Sequence, residues 1–351
     1  MVIRSVGWRT AALGFAAVAA LAAAGCSNSA TQGTKGSGPP QPIEWSNACG
    51  PECQQALTVQ GDPAAVACTV GISQNDLSHP YGVAQKAALE DAAKRNFPNM
   101  TVFSTDGQGD AITQSSQVRD LMTRGIDVLV ITPLESDALA PVIKEATESG
   151  VKVITHDRSV NAPVVAHVAA DSVQAGETAG QYIVDQLGPA GGTIVEITGT
   201  LGASATNERH QGFENVISQH PNIQVIASQT ADYARDQGLT VMQDFLQRFG
   251  PGEIDAVFTH NDEMSLGALQ AIQEAGRASE MFVIGFDGAE NAIEAVNAGD
   301  YEASVVYPLD APEAIAAAAK ACLGEELPQR VLLEGPLINK ENVAQFVGTG
   351  F

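Results

Sequence analysis

The sequence predicts an α/β protein built as two doubly wound lobes of parallel sheet. From Val66 onward, short β-branched runs alternate with stretches of helical periodicity. The runs are apolar on both faces, as strands are when helices cover each side of a parallel sheet. There are more such units than one small open sheet needs, and 351 residues allow two domains with sizeable cores.

In chain order, the strand-like runs include residues 68–72, 100–103, 128–132, 151–155, 193–198, 223–227, 256–259 and 281–284. Between them, Leu139, Val142, Ile143 and Ala146 follow the i, i+3, i+4, i+7 spacing of one helix face, and Met242, Phe245, Leu246 and Phe249 repeat it. Several helices are expected to end at Gly125, Gly150, Gly276 and Gly299, where a residue without Cβ enters the left-handed C-cap most easily. The formal net charge of −23 argues against nucleic acid as a partner, because phosphate binding needs clustered Lys and Arg. After residue 25 no apolar run reaches the length of a membrane span.

Residues 1–25 read as an export signal, with Arg4 and Arg9 before an Ala/Leu/Val stretch and small residues leading to Cys26. The Leu-Ala-Ala-Ala-Gly-Cys ending resembles a bacterial lipobox, which makes Cys26 the lipidation site, although Ala23 stands where Leu is usual and Leu21 lies two positions further back. Residues 26–62 are then a lipid-anchored flexible linker, rich in Ser, Thr, Gly and Pro, followed by a cysteine-containing segment. In an oxidising compartment the other four cysteines, Cys49, Cys53, Cys68 and Cys322, are expected to form disulfides, with three connectivities open. No zinc or other metal site is expected, since the cysteine pair at 49 and 53 has no histidine partner at finger spacing.

In doubly wound sheets, ligands sit outside the carboxyl ends of the strands. Those ends carry Ser-Gln-Asn-Asp-Leu-Ser-His-Pro-Tyr after Ile72, Thr-His-Asp-Arg after Ile154 and a Gly-Thr-Leu-Gly-Ala-Ser run ending in Asn-Glu-Arg at 207–209. Tyr233 follows the run at 223–227, Thr-His-Asn-Asp-Glu follows Phe258, Gly-Phe-Asp-Gly follows Ile284 and Tyr307 follows Val306. Carboxylates accept two hydroxyl protons, a guanidinium donates a planar fork, an amide does both and an aromatic face covers the C–H side of a ring. This is the inventory for a polyhydroxylated ligand. The glycine run lacks the Lys-Ser/Thr of a phosphate loop and reads as backbone approaching the cleft. Asp262 reads as the N-cap of a helix starting at Met264, and His79 and His156 read as local hydrogen-bonding residues.

Thr-His-Asp-Arg at 155–158, Asn-Glu-Arg-His-Gln-Gly-Phe at 207–213, Asn-Asp-Glu-Met-Ser-Leu-Gly-Ala-Leu at 261–269 and Gly-Phe-Asp-Gly at 285–288 together resemble the ribose-type periplasmic sugar-binding proteins, the type I solute-binding components of ABC importers. The resemblance covers roughly residues 66–335. It implies two lobes joined by a three-stranded hinge: residues 63–169 with 309–334, and 170–308 with 335–351. It implies ligand contacts from Ser73, Tyr81, Asp157, Arg158, Arg209, Tyr233, Asn261, Asp287 and Tyr307. It departs from the ribose-binding pattern in a loop at 73–81 that is two residues longer, in His79 before Pro80, in Gly82 replacing a second aromatic, and in Tyr307 replacing an amide. A different pentose, a hexose, a polyol or an inositol therefore stands beside ribose as the expected ligand.

The expectation is an extracytoplasmic lipoprotein, on the outer face of the cytoplasmic membrane or in the periplasm. It captures a monosaccharide or polyol between its lobes and delivers it to an ABC permease and its ATPase. No cofactor, no nucleic acid and a monomeric state are expected. The same fold presenting a bound sugar or furanosyl signal to a receptor is the rival. Catalysis is disfavoured, because each candidate carboxylate has an Arg or Asn neighbour and no nucleophile–base constellation accompanies it.

Overall fold

The computed structural model describes residues 43–351. The signal read at 1–25, Cys26 and the linker as far as residue 42 lie outside the described residues. Short β-branched runs become strands, and the amphipathic stretches between them cover the faces that those strands leave apolar. The first sheet holds β1 (Thr69–Gln74), β2 (Thr101–Asp106), β3 (Val128–Ile131), β4 (Lys152–His156), β5 (Ala166–Ala170) and β11 (Arg330–Leu333). All are parallel, in the order β11-β5-β4-β3-β1-β2. The second sheet holds β6 (Gly192–Thr198), β7 (Ile223–Thr230), β8 (Ala256–Thr259), β9 (Phe282–Asp287) and β10 (Ala303–Val306), with β12 (Leu337–Asn339) as an antiparallel edge. Its order is β12-β10-β9-β8-β6-β7.

On one face of the first sheet lie α1 (Pro51–Leu57), α2 (Pro80–Asn96) and α10 (Ala311–Leu323), and on the other α3 (Ala111–Thr123) and α4 (Ala140–Glu148). The second sheet is covered by α5 (Ser172–Leu187) and α6 (Ser204–Ile217) on one face, and by α7 (Arg235–Arg248), α8 (Asp262–Glu274) and α9 (Glu290–Ala298) on the other. Ala316 to Ala319 in α10 are fully buried, and their small side chains let the helix lie close against the sheet, α2 and α1. Among the described residues, no helix is long and apolar enough to cross a membrane.

Of the three open connectivities, the structure contains Cys49–Cys53 and Cys68–Cys322. The second bond ties the entrance of β1 to the end of α10. Strands β5, β10, β11 and β12 are not among the runs singled out above. They are short, and β5 (Ala-His-Val-Ala-Ala) has too few β-branched residues to stand out from a loop.

The chain passes between the sheets three times: from β5 to α5, from β10 to α10 and from β11 to β12. The crossings are bonded together. Asp171 N–H donates to the Leu333 carbonyl (2.8 Å) and Val306 N–H to that of Pro336 (2.9 Å), while the hydroxyls of Ser172 and Tyr307 are 2.9 Å apart. The three crossings thus run side by side between the lobes, held to one another by these bonds. Away from the hinge the lobes touch directly, through Ser136 N–H to the Gly202 carbonyl (3.0 Å) and Ser159 N–H to Ser204 Oγ (2.8 Å).

Candidate functional site

The carboxyl ends of both sheets face one cleft with a cavity volume of about 50 Å3. Its walls include Tyr81, Asp157 and Arg158 from the first lobe and Arg209, Tyr233, Asn261 and Asp287 from the second, with Tyr307 on a hinge crossing. These are eight of the nine residues expected from sequence to contact the ligand. Asp157 (φ 61°), directly after β4, Tyr233 (φ 63°), three residues after β7, and Asp287 (φ 121°), at the end of β9, have left-handed backbones where strands feed the cleft. Side chains held in such conformations are a recurring mark of binding sites.

Ser73 is the residue that does not reach the cleft. Strand β1 continues to Gln74, so Ser73 lies within it, fully buried, and takes a hydrogen bond from Gln114 Nε2 (3.3 Å). The loop position passes to Asn75, which lines the cleft together with Asp76, His79, Gly82, Gln85 and Ala205. Of these, Gln85 was legible as the residue one helical turn after Tyr81. Asn261 and Asp262 exchange part of their expected roles. Asn261 is the N-cap of α8, accepting from Met264 N–H (2.9 Å) and donating to the Tyr233 carbonyl (3.1 Å), while still facing the cleft. Asp262 is inside the helix and fully buried, and accepts from Gly288 N–H, Ala289 N–H and the Tyr301 hydroxyl. It braces the loop that presents Asp287.

Arg209 is held by aromatic rings. Its guanidinium carbon lies 4.1 Å from the Tyr307 centroid, 5.0 Å from that of Phe286 and 5.7 Å from that of Tyr233, and Nη1 donates to the His260 carbonyl. Arg158 covers the other side, 5.1 Å from the Tyr233 centroid, with Nη1 donating to the Leu134 carbonyl (3.2 Å). The Arg–Asp pairs are loose, at 3.8 Å for Arg158–Asp157 and 3.9 Å for Arg209–Asp287. The Nε–H groups of both arginines are buried and find no acceptor among the described residues. Buried donors without acceptors are costly, and both of these belong to side chains that line the cleft.

Burial pushes the Asp287 carboxyl up, against the opposing pull of Arg209. The Tyr81 and Tyr307 hydroxyls are likewise raised, first by burial and then by the nearby Asp157. All three site tyrosines spend their hydroxyls on the protein: Tyr81 on the Pro308 carbonyl (3.1 Å), Tyr233 on Thr206 (2.8 Å) and Tyr307 on Ser172. They therefore offer ring faces and edges to a ligand. The cleft wall carries both signs of charge: the carboxyls of Asp76, Asp157 and Asp287, the guanidiniums of Arg158 and Arg209, and His79 beside Asp76 (3.2 Å). Among the described residues no group of three or more His, Cys, Asp or Glu side chains is placed to hold a metal ion.

Behind the cleft, His156 is buried at the end of β4, with Nε2 2.8 Å from Asp310 Oδ1 and Nδ1 3.3 Å from Thr132 Oγ1. Thr132 in turn donates to Gln85 Oε1 (3.4 Å), so a polar chain runs from the cleft wall to the hinge crossing before α10. Burial raises the Asp310 carboxyl to about 7, partly offset by His156.

The periplasmic binding protein domain family matches residues 70–326. The ribose import binding protein RbsB of Bacillus subtilis is 42% identical over 238 residues, 68% of this chain and 75% of that protein. A xylitol-binding protein of Mycolicibacterium smegmatis is 33% identical over 288 residues, 81% of each. Among solved structures, an ABC transporter solute-binding protein from Mycobacterium smegmatis with bound glycerol superposes with a TM-score of 0.76 at 36% identity, covering 80% of this chain and 97% of that one.

Proposed function

Because this chain belongs to the periplasmic binding protein domain family, we propose that it binds a neutral monosaccharide or polyol between its lobes and hands it to an ABC import permease and its ATPase. The observation that carries the reading is the pair of buried arginines whose Nε–H groups lack acceptors. They come from opposite lobes, flanked by two carboxylates and three tyrosine rings. Such a set reads hydroxyl positions: a sugar with one hydroxyl misplaced leaves a buried charge unpaired. The similar ribose import binding protein and xylitol-binding protein, and the solved structure with bound glycerol, support this ligand class.

Ligand contacts all walls only when the lobes meet, so it binds the closed arrangement better and shifts the population toward it. Binding rather than catalysis is the reading this supports, since Asp157 and Asp287 each lie within 4 Å of a guanidinium. Export and anchoring through Cys26 complete the proposal, holding the protein at the outer face of the cytoplasmic membrane near the permease. Thermal denaturation against pentoses, hexoses, polyols and inositols tests the ligand class. Labelling with a radioactive fatty acid, lost in Cys26→Ser, tests the anchor, and an unlabelled wild-type protein contradicts it.

A further inference from the structure

The last residues of the chain lie on the second lobe against the start of α9. Glu290 takes Gly348 N–H on Oε1 (2.7 Å) and Gly350 N–H on Oε2 (2.9 Å), and its own N–H donates to the Phe351 carbonyl (3.4 Å). A Cβ at Gly350 would meet the backbone of Glu290, and Gly348 has φ +81°, so the segment fits this seat in one register. Glu290 follows the cleft residue Asp287 by three positions, through the loop that Asp262 braces. The outcome of this clasp is the placement of Phe351. Its ring meets Tyr81 edge-on, with centroids 5.5 Å apart and planes at 80°.

Tyr81 belongs to the first lobe and lines the cleft. Its other neighbours are the Tyr307 ring at 5.8 Å and the Pro308 carbonyl on the β10–α10 crossing, and Gln85 one turn along α2, whose Nε2 donates to its hydroxyl (3.4 Å). Phe351 is thus a contact from the second lobe onto a cleft wall of the first. Opening the hinge must separate the two rings or pull the tail from Glu290.

We infer that Phe351 is a positioning residue: the Glu290-clasped tail is a strap whose terminal ring packs on Tyr81 as the lobes close, fixing that wall of the cleft and weighting the hinge toward closure. The inference rests on closure of the lobes around a ligand, but not on which ligand.

Small-angle X-ray scattering on the purified exported protein tests it, without ligand and in titrations with D-ribose, xylitol and myo-inositol as probes. An aromatic edge-to-face pair is worth about 0.5–1.5 kcal/mol beyond its burial, so Phe351→Ala should raise the midpoint of probe-induced compaction by about 2- to 12-fold. Glu290→Gln should move it in the same direction by freeing the tail, and Phe351→Tyr should restore it. Unchanged midpoints in Phe351→Ala and Glu290→Gln would overturn the strap, leaving Phe351 as a mere anchor of its own segment. If no probe compacts the wild-type protein, the unliganded curves decide the strap. A larger radius of gyration in Phe351→Ala supports it, and superimposable curves overturn it.

Discussion

Arg209 reaches the cleft from within α6 and is fixed by contacts that a ligand does not supply, namely three aromatic rings and the His260 carbonyl. Its free Nε–H edge is therefore pre-oriented, and little entropy is lost when a hydroxyl accepts from it. Arg209→Ala or Asp157→Ala should each weaken ligand binding by about 2 kcal/mol or more, roughly thirtyfold, because a charge-assisted bond is lost on each side. Calorimetry of either variant at near-wild-type affinity would remove these residues from the site. Arg209→Lys should also fail, since an ammonium does not stack in the same slot. The residues at this scale were legible because few positions combine a strand end with Asp, Asn, Arg or Tyr. Ser73 was misplaced because a single extra pair of residues in β1 moves the loop onward. Asn75, Asp76 and His79 stood in the same quoted loop, but nothing in residue type alone says which of its polar side chains turn inward.

The His156–Asp310 pair makes a second prediction at this scale. Both groups are raised, His156 above its ordinary value and Asp310 to about 7, so the folded pair keeps a proton that the unfolded chain has released. Stability therefore falls as pH rises, for Asp310 between its unfolded value of about 3.9 and about 7, and for His156 from about 6.5 up through its native value. Wild-type protein should therefore lose more thermal stability than Asp310→Asn between pH 6 and pH 8, measured by melting temperature. Parallel profiles for the two proteins would contradict the shared proton.

At the scale of elements, α5 and α6 cross where both have glycine. A Cβ at Gly212 would meet the Val173 carbonyl, and one at Gly176 would meet the Arg209 carbonyl. Since α6 also carries Arg209, Gly212→Ala should both lower the melting temperature and weaken binding. A variant that loses stability with unchanged affinity would uncouple this packing from the site. The two disulfides should differ as well. Cys68–Cys322 spans a sequence separation of 254, against 4 for Cys49–Cys53, so the Cys68→Ser/Cys322→Ser pair should lose about 2–5 kcal/mol of stability and the other pair less. Equal losses by denaturant titration would show that chain constraint is not what these bonds supply. Strand–helix alternation was readable wherever a strand was β-branched and buried, as in Val-Leu-Val-Ile of β3. Strands β5, β10, β11 and β12 and the pairing of the cysteines were not, because both depend on what the rest of the chain brings alongside them.

For the whole molecule, the central claim is that two lobes on a three-stranded hinge close around a neutral polyhydroxylated ligand. The two lobes were read from more strand–helix units than one sheet needs, with the hinge implied by the resemblance, whereas the ring-lined seat of Arg209, the clasped tail and the bonding of the crossings to one another are products of the fold. The most direct test is isothermal titration calorimetry of the protein against pentoses, hexoses, polyols and inositols, paired with melting curves at saturating ligand. A ligand at 100 times its dissociation constant should stabilise the protein by about 2.7 kcal/mol. The account predicts one saturable, one-to-one binder within this panel, with affinity insensitive to ionic strength because the ligand carries no charge. Folded protein that binds none of them, or that binds only a charged compound with steep salt dependence, would contradict it.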